Sequence, residues 1–274
     1  MKKIIVPVDF SKQSEYALKT AASLSLKHDA EILVVHMLEL NRSLTASPEM
    51  INQEYTVFLI KTAEKQLNEF LNRPYLKDVK VTPIIKHYKV FSELNEIAEK
   101  HGADMVVMGS HGSEGLKEIF VGSNAEKVVR HSHVPVLVVK NEHTDFKIDR
   151  LVFASDFKLK GLKAFEKAKA FAELVSAELD LVYINTPYSD FLSTEDAYAR
   201  INTFLAKANI ADQVEIYNDY SVEMGILNYS KTNAADAIAI STHGRKGLAH
   251  FFSGSIGEDI TNRAKIPVVT FKIG

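Results

Sequence analysis

Residues 106–124 read VVMGSHGSEGLKEIFVGSN and lead from the end of an apolar run to the start of a predicted helix. The run that ends at Met108 is typical of a buried strand. Glycines at the carboxyl end of a strand let backbone amides come close to a ligand, and a Gly-Ser pair at a helix start offers N–H groups and a favourable dipole to phosphate. The stretch therefore predicts a phosphate-binding turn.

Apolar runs and helical patterns alternate along the first half of the chain. Strands are predicted at residues 4–8, 31–38, 79–86, 104–108 and 134–139, with a helix between each pair. Strands of this apolar kind that alternate with helices indicate a parallel sheet covered on both faces. Ligands of such sheets bind beyond the carboxyl ends of the strands. Asp9 and Gly109, at the ends of the first and fourth strands, are therefore predicted to face one crevice.

The same pattern then restarts in the second half. Residues 149–157 (DRLVFASDF) match residues 2–10 (KKIIVPVDF) at an offset of 147. Residues 233–244 (NAADAIAISTHG) match residues 101–112 (HGADMVVMGSHG) at an offset of 132, so the second half is 15 residues shorter between these two blocks. The repeat predicts two similar α/β domains in tandem.

Length and composition agree with two domains, which we place at residues 1–143 and 147–274. The chain of 274 residues exceeds the usual size of one domain. Its net charge of −2 gives no indication of nucleic-acid or membrane binding, and no apolar window reaches the ~18 residues of a membrane span. The chain has no cysteine, which excludes disulfides and cysteine-ligated metal sites. Because MKKIIVPVDF is also too short an apolar run for a signal peptide, we expect a cytoplasmic protein.

Both halves resemble the universal stress protein family, and the chain resembles a tandem member of it. The resemblance rests on the repeat and on the spacing Gly-x2-Gly-x9-Gly-Ser after the fourth strand, which is met by Gly109, Gly112, Gly122 and Ser123. It implies a Rossmann-like (adenine nucleotide alpha hydrolase-like) fold in each half, with a five-stranded parallel sheet of order 3-2-1-4-5. It also implies ATP, or else AMP or ADP, as the ligand, and a role in the stress response.

The resemblance also assigns site residues by their positions. Pro7, Val8 and Asp9 fall where the family contacts the adenosine, and Met37 falls where it contacts adenine. The residues that would wrap the ribose and phosphates are Met108, Gly109, Gly112, Gly122, Ser123 and Asn124, with His111 beside the phosphates. Three roles for Asp9 remain open: it holds Mg²⁺ with the nucleotide, binds a ribose hydroxyl, or caps the helix that follows.

The second half keeps only part of this motif. The matched residues that persist are Asp156, Gly244, Gly254 and Ser255. Gly109 becomes Ser241, whose side chain would crowd the closest backbone approach, and Pro7-Val8 becomes Ala154-Ser155. We therefore expect nucleotide to bind mainly in the first half, and weakly or not at all in the second.

Two other functions are kept as alternatives. The chain has no Walker-type Gly-x4-Gly-Lys-Ser/Thr, no Gly-x-Gly-x-x-Gly after a first strand and no Gly-x-Ser-x-Gly elbow, and we assign no catalytic residue. A slow ATPase or phosphoryl-transfer enzyme would use Asp9 and a metal, whereas an interaction scaffold would bind no nucleotide. A zinc site at His131-x-His133 would need further ligands that the sequence does not identify.

The predicted fifth strands, VPVLVVK (134–140) and IPVVTFK (266–272), would lie at sheet edges. Members of the resembled family commonly pair through this strand. The resemblance therefore implies an internal pseudo-dimer, and leaves further assembly into a homodimer open.

Overall fold

The computed structural model of the chain describes residues 1–38, 49–87, 90–110, 123–187, 191–243, 260 and 263–273. These residues form two compact α/β units. The first unit contains residues 1–110, 123–134 and 139–146 of the described chain. The second contains residues 135–138 and the described residues from 147 onward.

The sheet of the first unit is parallel. Its described strands are β1 (Lys3–Val8), β2 (Glu31–Leu38), β3 (Val81–His87) and β4 (Met105–Gly109), in the order β3-β2-β1-β4. The helices described between and after them are α1 (Lys12–His28), α2 (Glu49–Leu71), α3 (Val90–His101) and α4 (Ser123–His131), with a 3₁₀ turn at Pro74–Leu76. Strand β5 (Val136–Val139) follows α4. The N–H of Ser110, just after β4, donates to the carbonyl oxygen of Val139 (2.9 Å), so the predicted order 3-2-1-4-5 is confirmed.

The second unit repeats this order. Its described strands are β6 (Arg150–Ala154), β7 (Glu178–Asn185), β8 (Val214–Asn218), β9 (Ala237–His243) and β10 (Val268–Ile273), in the order β8-β7-β6-β9-β10. The described helices are α5 (Leu162–Val175), α6 (Thr194–Ala208) and α7 (Val222–Thr232), with a 3₁₀ turn at Leu159–Gly161. Within this unit, residues 136–138 pair antiparallel with residues 268–270 of β10. Among the residues described, no helix is long and apolar enough to cross a membrane.

The first strand of each unit runs through its core. Ile4, Ile5 and Val6 of β1 are fully buried, as are Leu151 and Val152 of β6. The helix that follows each strand contributes small and apolar residues at helical spacing to the same core, namely Ala17, Leu18 and Ala21 in α1 and Ala164, Phe165 and Ala168 in α5. The burial of both faces explains why the strands read as continuous apolar runs.

A carboxylate at the amino-terminal edge of the sheet sets the strand register in each unit. One carboxylate oxygen of Asp104 accepts from the backbone N–H groups of Lys2 (2.5 Å) and Lys3 (2.9 Å). The matched Asp236 accepts from the N–H groups of Asp149 (2.8 Å) and Arg150 (2.9 Å). Because both copies make the same bonds at the edge away from the predicted ligand site, we interpret these aspartates as structural.

Residue 234 follows α7 in the left-handed region, and it is an alanine. Ala234 has φ 50°, while the matched residue in the first half, Gly102, has φ 62° and a Cβ added there would meet nothing within 4 Å. Side chains disfavour this backbone conformation and glycine does not. We expect Ala234→Gly to raise the free energy of unfolding by about 0.5–1 kcal/mol, and Gly102→Ala to lower it by a similar amount.

The two variants are compared by urea denaturation with Ala170→Gly, which lies on the exposed face of α5 and should cost about 1 kcal/mol because glycine is a poor helix former. If Ala234→Gly destabilised the protein as Ala170→Gly does, the left-handed strain would be refuted.

Candidate functional site

The tips of β1 and β4 lie side by side at the carboxyl edge of the first sheet. Ile4 pairs with Met105 and Ile5 with Val106, and the same register continued along both strands places Val8 level with Gly109. Pro7, Val8 and Asp9 thus end at the same edge as Met108 and Gly109. The crevice predicted between the two strand ends rests on this register.

Asp9 organises the start of the helix that follows β1. Its Oδ1 accepts from the N–H (3.1 Å) and the hydroxyl (2.6 Å) of Ser11. Ser11 is the N-cap of α1, since its Oγ accepts from the N–H of Ser14 (3.2 Å). Of the three roles considered for Asp9, the cap itself belongs to Ser11, and Asp9 positions it. In the second unit Asp156 makes the matching bond to the N–H of Lys158 (3.1 Å).

The residue between Asp9 and the cap adopts a left-handed backbone in both halves. Phe10 has φ 64° and the matched Phe157 has φ 48°. A bulky residue in this region costs of order 1–3 kcal/mol and persists only where its surroundings impose it. The ring of Phe10 packs on His36 at 4.4 Å and on Phe70 at 5.6 Å between centroids, whereas Phe157 packs on Phe204 at 5.3 Å. The turn is therefore part of the scaffold that both copies share.

His36 fixes the tip of β1 from the neighbouring strand. Its Nδ1 lies 2.9 Å from the carbonyl oxygen of Val8. Because a carbonyl only accepts, Nδ1 must carry the proton and donate it. Sequence reasoning did not assign His36 to the site, since the pairing of a side chain with a main-chain oxygen has no motif.

We expect His36→Leu to lower the free energy of unfolding by about 1 kcal/mol, because it removes this hydrogen bond. His36→Asn is the matched control, since its amide nitrogen is able to take the place of Nδ1 and keep the bond to Val8. Urea denaturation of both variants measures the difference. Equal losses in the two variants would assign the effect to the ring contact with Phe10 instead.

Gly109 is required by the packing of the protein itself. A Cβ added at this position would lie 2.8 Å from the backbone carbon and oxygen and from the Cβ of Gln13, in the first turn of α1. The matched residue of the second half is Ser241. There the helix starts at Leu162, three residues later than the offset of 147 from Lys12 would place it, after a 3₁₀ turn. The different helix start accompanies the loss of the glycine.

Met37 and its counterpart have different surroundings. Met37, near the end of β2, is half-buried. The offset of 147 matches it to Ile184, which is 7 % exposed and packs on α7, where a Cβ added at Gly225 would come within 2.4 Å of its Cγ2. The first half thus leaves an apolar side chain partly accessible where the second half uses one for its core.

The carboxyl edge of the second unit is bridged by its own polar groups. Asn185, buried at the end of β7, donates through Nδ2 to the carbonyl oxygen of Leu192 (3.2 Å) and to Oδ1 of Asn218 (3.1 Å). Its Oδ1 accepts from the N–H of Leu192 (3.1 Å). These bonds hold the segment before α6 against the ends of β7 and β8. The residue matched to Asn185 in the first half is Leu38, whose side chain has no group for such bonds.

Parts of the predicted site lie outside the described residues. These are His111, Gly112 and Gly122 in the first half and Gly244, Gly254 and Ser255 in the second. Ser123 and Asn124 form the start of α4, as predicted from the Gly-Ser pair. Met108 is 6 % exposed, so its side chain packs in the core at the end of β4, and its contact with a nucleotide stays a prediction.

One cation near the tip of β4 was not anticipated from the sequence. Lys140 directly follows Val139, whose carbonyl oxygen accepts from Ser110 after β4. Burial lowers the pKa of Lys140 to about 8. Removal of an ammonium group from water penalises its charged form, which is the cause of this shift.

Metal binding was considered for Asp9 and for the pair His131 and His133. Within the ranges given above, no three His, Cys, Asp or Glu side chains are grouped so that they hold a metal ion. His133, one of the pair considered for zinc, has its Nδ1 3.1 Å from a carboxylate oxygen of Glu99.

Comparison with known proteins identifies the family. The profile of the universal stress protein family matches residues 1–140 and 147–272. Universal stress protein MJ0577 of Methanocaldococcus jannaschii is 34% identical over 157 residues, which is 52% of this chain and 97% of that protein. Universal stress protein MJ0531 of the same organism is 32% identical over 139 residues, 51% of this chain and 82% of that protein.

A solved structure matches nearly the whole chain. The universal stress protein from Archaeoglobus fulgidus superposes with a TM-score of 0.70 and 24% identity, over 99% of this chain and 96% of that one. The agreement extends across both halves and confirms the fold. The chain belongs to the universal stress protein family and carries two of its domains in tandem.

Proposed function

We propose that this protein is a cytoplasmic stress-response regulator that binds an adenine nucleotide, ATP or else ADP or AMP, mainly within residues 1–143. The observation that supports the proposal is the arrangement of the carboxyl ends of β1, β2 and β4, which lie next to one another and form a corner of the sheet edge. There the tips that end in Val8 and Gly109 are level, and Met37 is partly accessible beside them. The intact Gly-x2-Gly-x9-Gly-Ser spacing begins at this corner and supplies backbone N–H groups suited to phosphate.

In the proposed site, each part of the nucleotide meets a different kind of group. Pro7, Val8 and Met37 offer apolar surface to the adenine, and Asp9 offers a carboxylate to a ribose hydroxyl or to Mg²⁺ bound with the phosphates. The phosphates would lie on the turn that contains Gly112 and on the N-terminus of α4 at Ser123. We also assign His111 and Gly122 to the phosphates, and Asn124 continues α4.

The second half, residues 147–274, is proposed to bind nucleotide weakly or not at all. Its Asp156 and the glycines and serine at 244, 254 and 255 retain part of the motif. Two features argue against an adenine pocket there. The side chain of Ile184 is buried against α7, and Asn185 bridges the ends of β7 and β8. Polar groups that already bond to one another resist displacement by an apolar base.

Isothermal titration of ATP into the full-length protein tests the proposal, with mass spectrometry of small molecules that co-purify with it. We expect one equivalent of ATP per chain. Met37→Asp should weaken binding at least about tenfold, because it places a carboxylate against the adenine. Tyr220→Asp, at a 92 % exposed residue just after β8, is the control and should leave the affinity unchanged.

Other results of the ATP titration would favour the alternative functions. Two equivalents of ATP would contradict the asymmetry between the halves, and no binding would favour the interaction scaffold. ATP turnover that disappears in Asp9→Asn would replace simple binding by phosphoryl transfer.

We also propose that the two fifth strands form an internal pseudo-dimer, with a homodimer as a further level of assembly. The apolar sequences of these two strands, residues 134–140 and 266–272, support this, because exposed sheet edges of this kind pair readily. Sedimentation of the full-length protein at several concentrations would distinguish a monomer from a homodimer.

A further inference from the structure

Three lysines come together where α5 meets the end of β10. Lys163 and Lys167 are one turn apart on the same exposed face of α5. The ammonium group of Lys167 donates to the backbone carbonyl oxygen of Lys272, near the end of β10. The hydrogen bond holds the side chain of Lys167 beside the strand end. We call Lys163, Lys167 and Lys272 the α5 lysine cluster.

The surroundings of the cluster are also positive. Lys158 and Lys160 lie one turn earlier and share the carboxylate of Asp156 at 3.5 Å and 3.7 Å. Glu166 is the acidic residue nearest along α5. Residues 156–167 together with Lys272 hold five lysines against two carboxylates, which is a formal charge of +3.

The described residues supply no ion pair to the cluster itself. Within the described part of the chain, no carboxylate approaches Lys163, Lys167 or Lys272 as closely as 4.0 Å. The pKa of Lys167 is lowered, first by burial and then by the positive charges of Lys272 and Lys163. Repulsion among these like charges raises the free energy of the unliganded protein, and a bound anion would lower it.

The first half has no equivalent of this charge. The residues matched to Lys160, Lys163 and Lys167 are Gln13, Tyr16 and Thr20, and only Lys272 has a lysine as counterpart, Lys140. Thr20 is fully buried, whereas Lys167 is exposed. The lysines are therefore not demanded by the fold, which both halves share. Together they occur in one copy alone, at the carboxyl edge of its sheet.

We propose that the α5 lysine cluster is a binding site for compact phosphate-chain anions, such as inorganic triphosphate, that recognises phosphate without a nucleobase. Two ammonium groups one helical turn apart, with a third lysine at the adjoining strand end, match the charge density of a short phosphate chain. A long nucleic acid would need a wider basic surface, whereas the residues after His143 carry 15 basic against 17 acidic side chains. The site is distinct from the proposed nucleotide site of residues 1–143.

Titration of inorganic triphosphate into the full-length protein tests the proposal. We expect the double variant Lys163→Gln/Lys167→Gln to weaken binding at least about tenfold, since two charge-assisted contacts are lost. Lys169→Gln, at another exposed position of α5 that lies well around the helix from Lys163 and Lys167, is the matched control and should change the affinity less than about twofold. Met37→Asp should leave triphosphate binding intact, so that failure of the nucleotide site and failure of this site give different results.

The fold of the double variant is checked by its melting temperature, which should equal or exceed that of the original protein because a repulsion is removed. Unchanged triphosphate affinity in the double variant would overturn the proposal. An equal loss in Lys169→Gln would also overturn it, because the attraction would then be general. Tighter, lysine-dependent binding of a single-stranded oligonucleotide would replace the phosphate chain by nucleic acid as the ligand.

Discussion

Gly109→Ser is expected to lower the free energy of unfolding by about 1–3 kcal/mol and to abolish the proposed ATP binding. The substitution installs in the first half the residue that the second half has at the matched position, Ser241. A Cβ at residue 109 would lie 2.8 Å from backbone atoms of Gln13. Because these are backbone atoms, the first turn of α1 must move, and such overpacking costs this much.

The effect on binding follows from the same displacement. Asp9 and Ser11 fix the start of α1 by hydrogen bonds, and β1 and β4 meet at the proposed nucleotide corner. A shift of the helix start therefore changes the geometry between the strand tips. The stability loss is measured by urea denaturation without nucleotide, and ATP binding by titration at a temperature at which circular dichroism shows the variant to be folded.

Ser241→Gly is the reciprocal control. The second half begins α5 three residues later than the first half begins α1, after a 3₁₀ turn, so we expect removal of this side chain to change stability by less than about 1 kcal/mol. It should not create a second equivalent of ATP binding, because Asn185 still bridges β7 and β8. A Gly109→Ser protein with normal stability and ATP affinity would refute both the packing role of Gly109 and its part in the proposed site.

The fold could be predicted in detail from the sequence because its signals are periodic and repeated. Apolar runs bounded by Asp9 and Gly109 marked strand ends, and the Gly-Ser pair marked the start of α4 at Ser123. The second copy supplied an independent reading of each element. The strand order 3-2-1-4-5 came from the family resemblance, since periodicity alone does not determine which strands are neighbours.

The contacts that shape the site could not be predicted in this way. The hydrogen bond from His36 to Val8, the left-handed turn at Phe10 and the bond from Lys167 to Lys272 each join a side chain or a dihedral angle to a particular backbone neighbour. Such pairings depend on three-dimensional register and leave no spacing pattern. Asp9 illustrates the consequence, because a strand-end aspartate suggests a cap, and the structure gives that role to Ser11.

Gly225→Ala should be among the most destabilising single-methyl changes in the second unit, with an expected loss of about 2–3 kcal/mol. The added Cβ would lie 2.4 Å from Cγ2 of Ile184 and 3.2 Å from Cβ of Asp219. Ile184 is 7 % exposed within the core cluster that α7 covers, so it has little space to move. Ordinary helix propensity acts in the opposite direction, since alanine is the better helix former by about 1 kcal/mol.

The clash can be assigned to one atom by a pair of second substitutions. Ile184→Leu removes Cγ2 at nearly constant volume, so Ile184→Leu/Gly225→Ala should be more stable than the sum of the two single losses predicts. Ile184→Val keeps Cγ2 and should give no such recovery. Urea denaturation of the five variants yields both coupling energies, and equal coupling for leucine and valine would place the clash elsewhere.

This contact also explains why the two halves differ at the proposed adenine position. In the first half the residue matched to Gly225 is Glu93, whose carboxylate lies 3.5 Å from the ammonium of Lys86, and Met37 remains half-buried instead of packed on a glycine. In the second half α7 approaches closely enough to take Ile184 into the core. Relief of the clash in Ile184→Leu/Gly225→Ala should therefore restore stability without any change in ATP stoichiometry, because the second half lacks a nucleotide pocket for reasons beyond this one side chain.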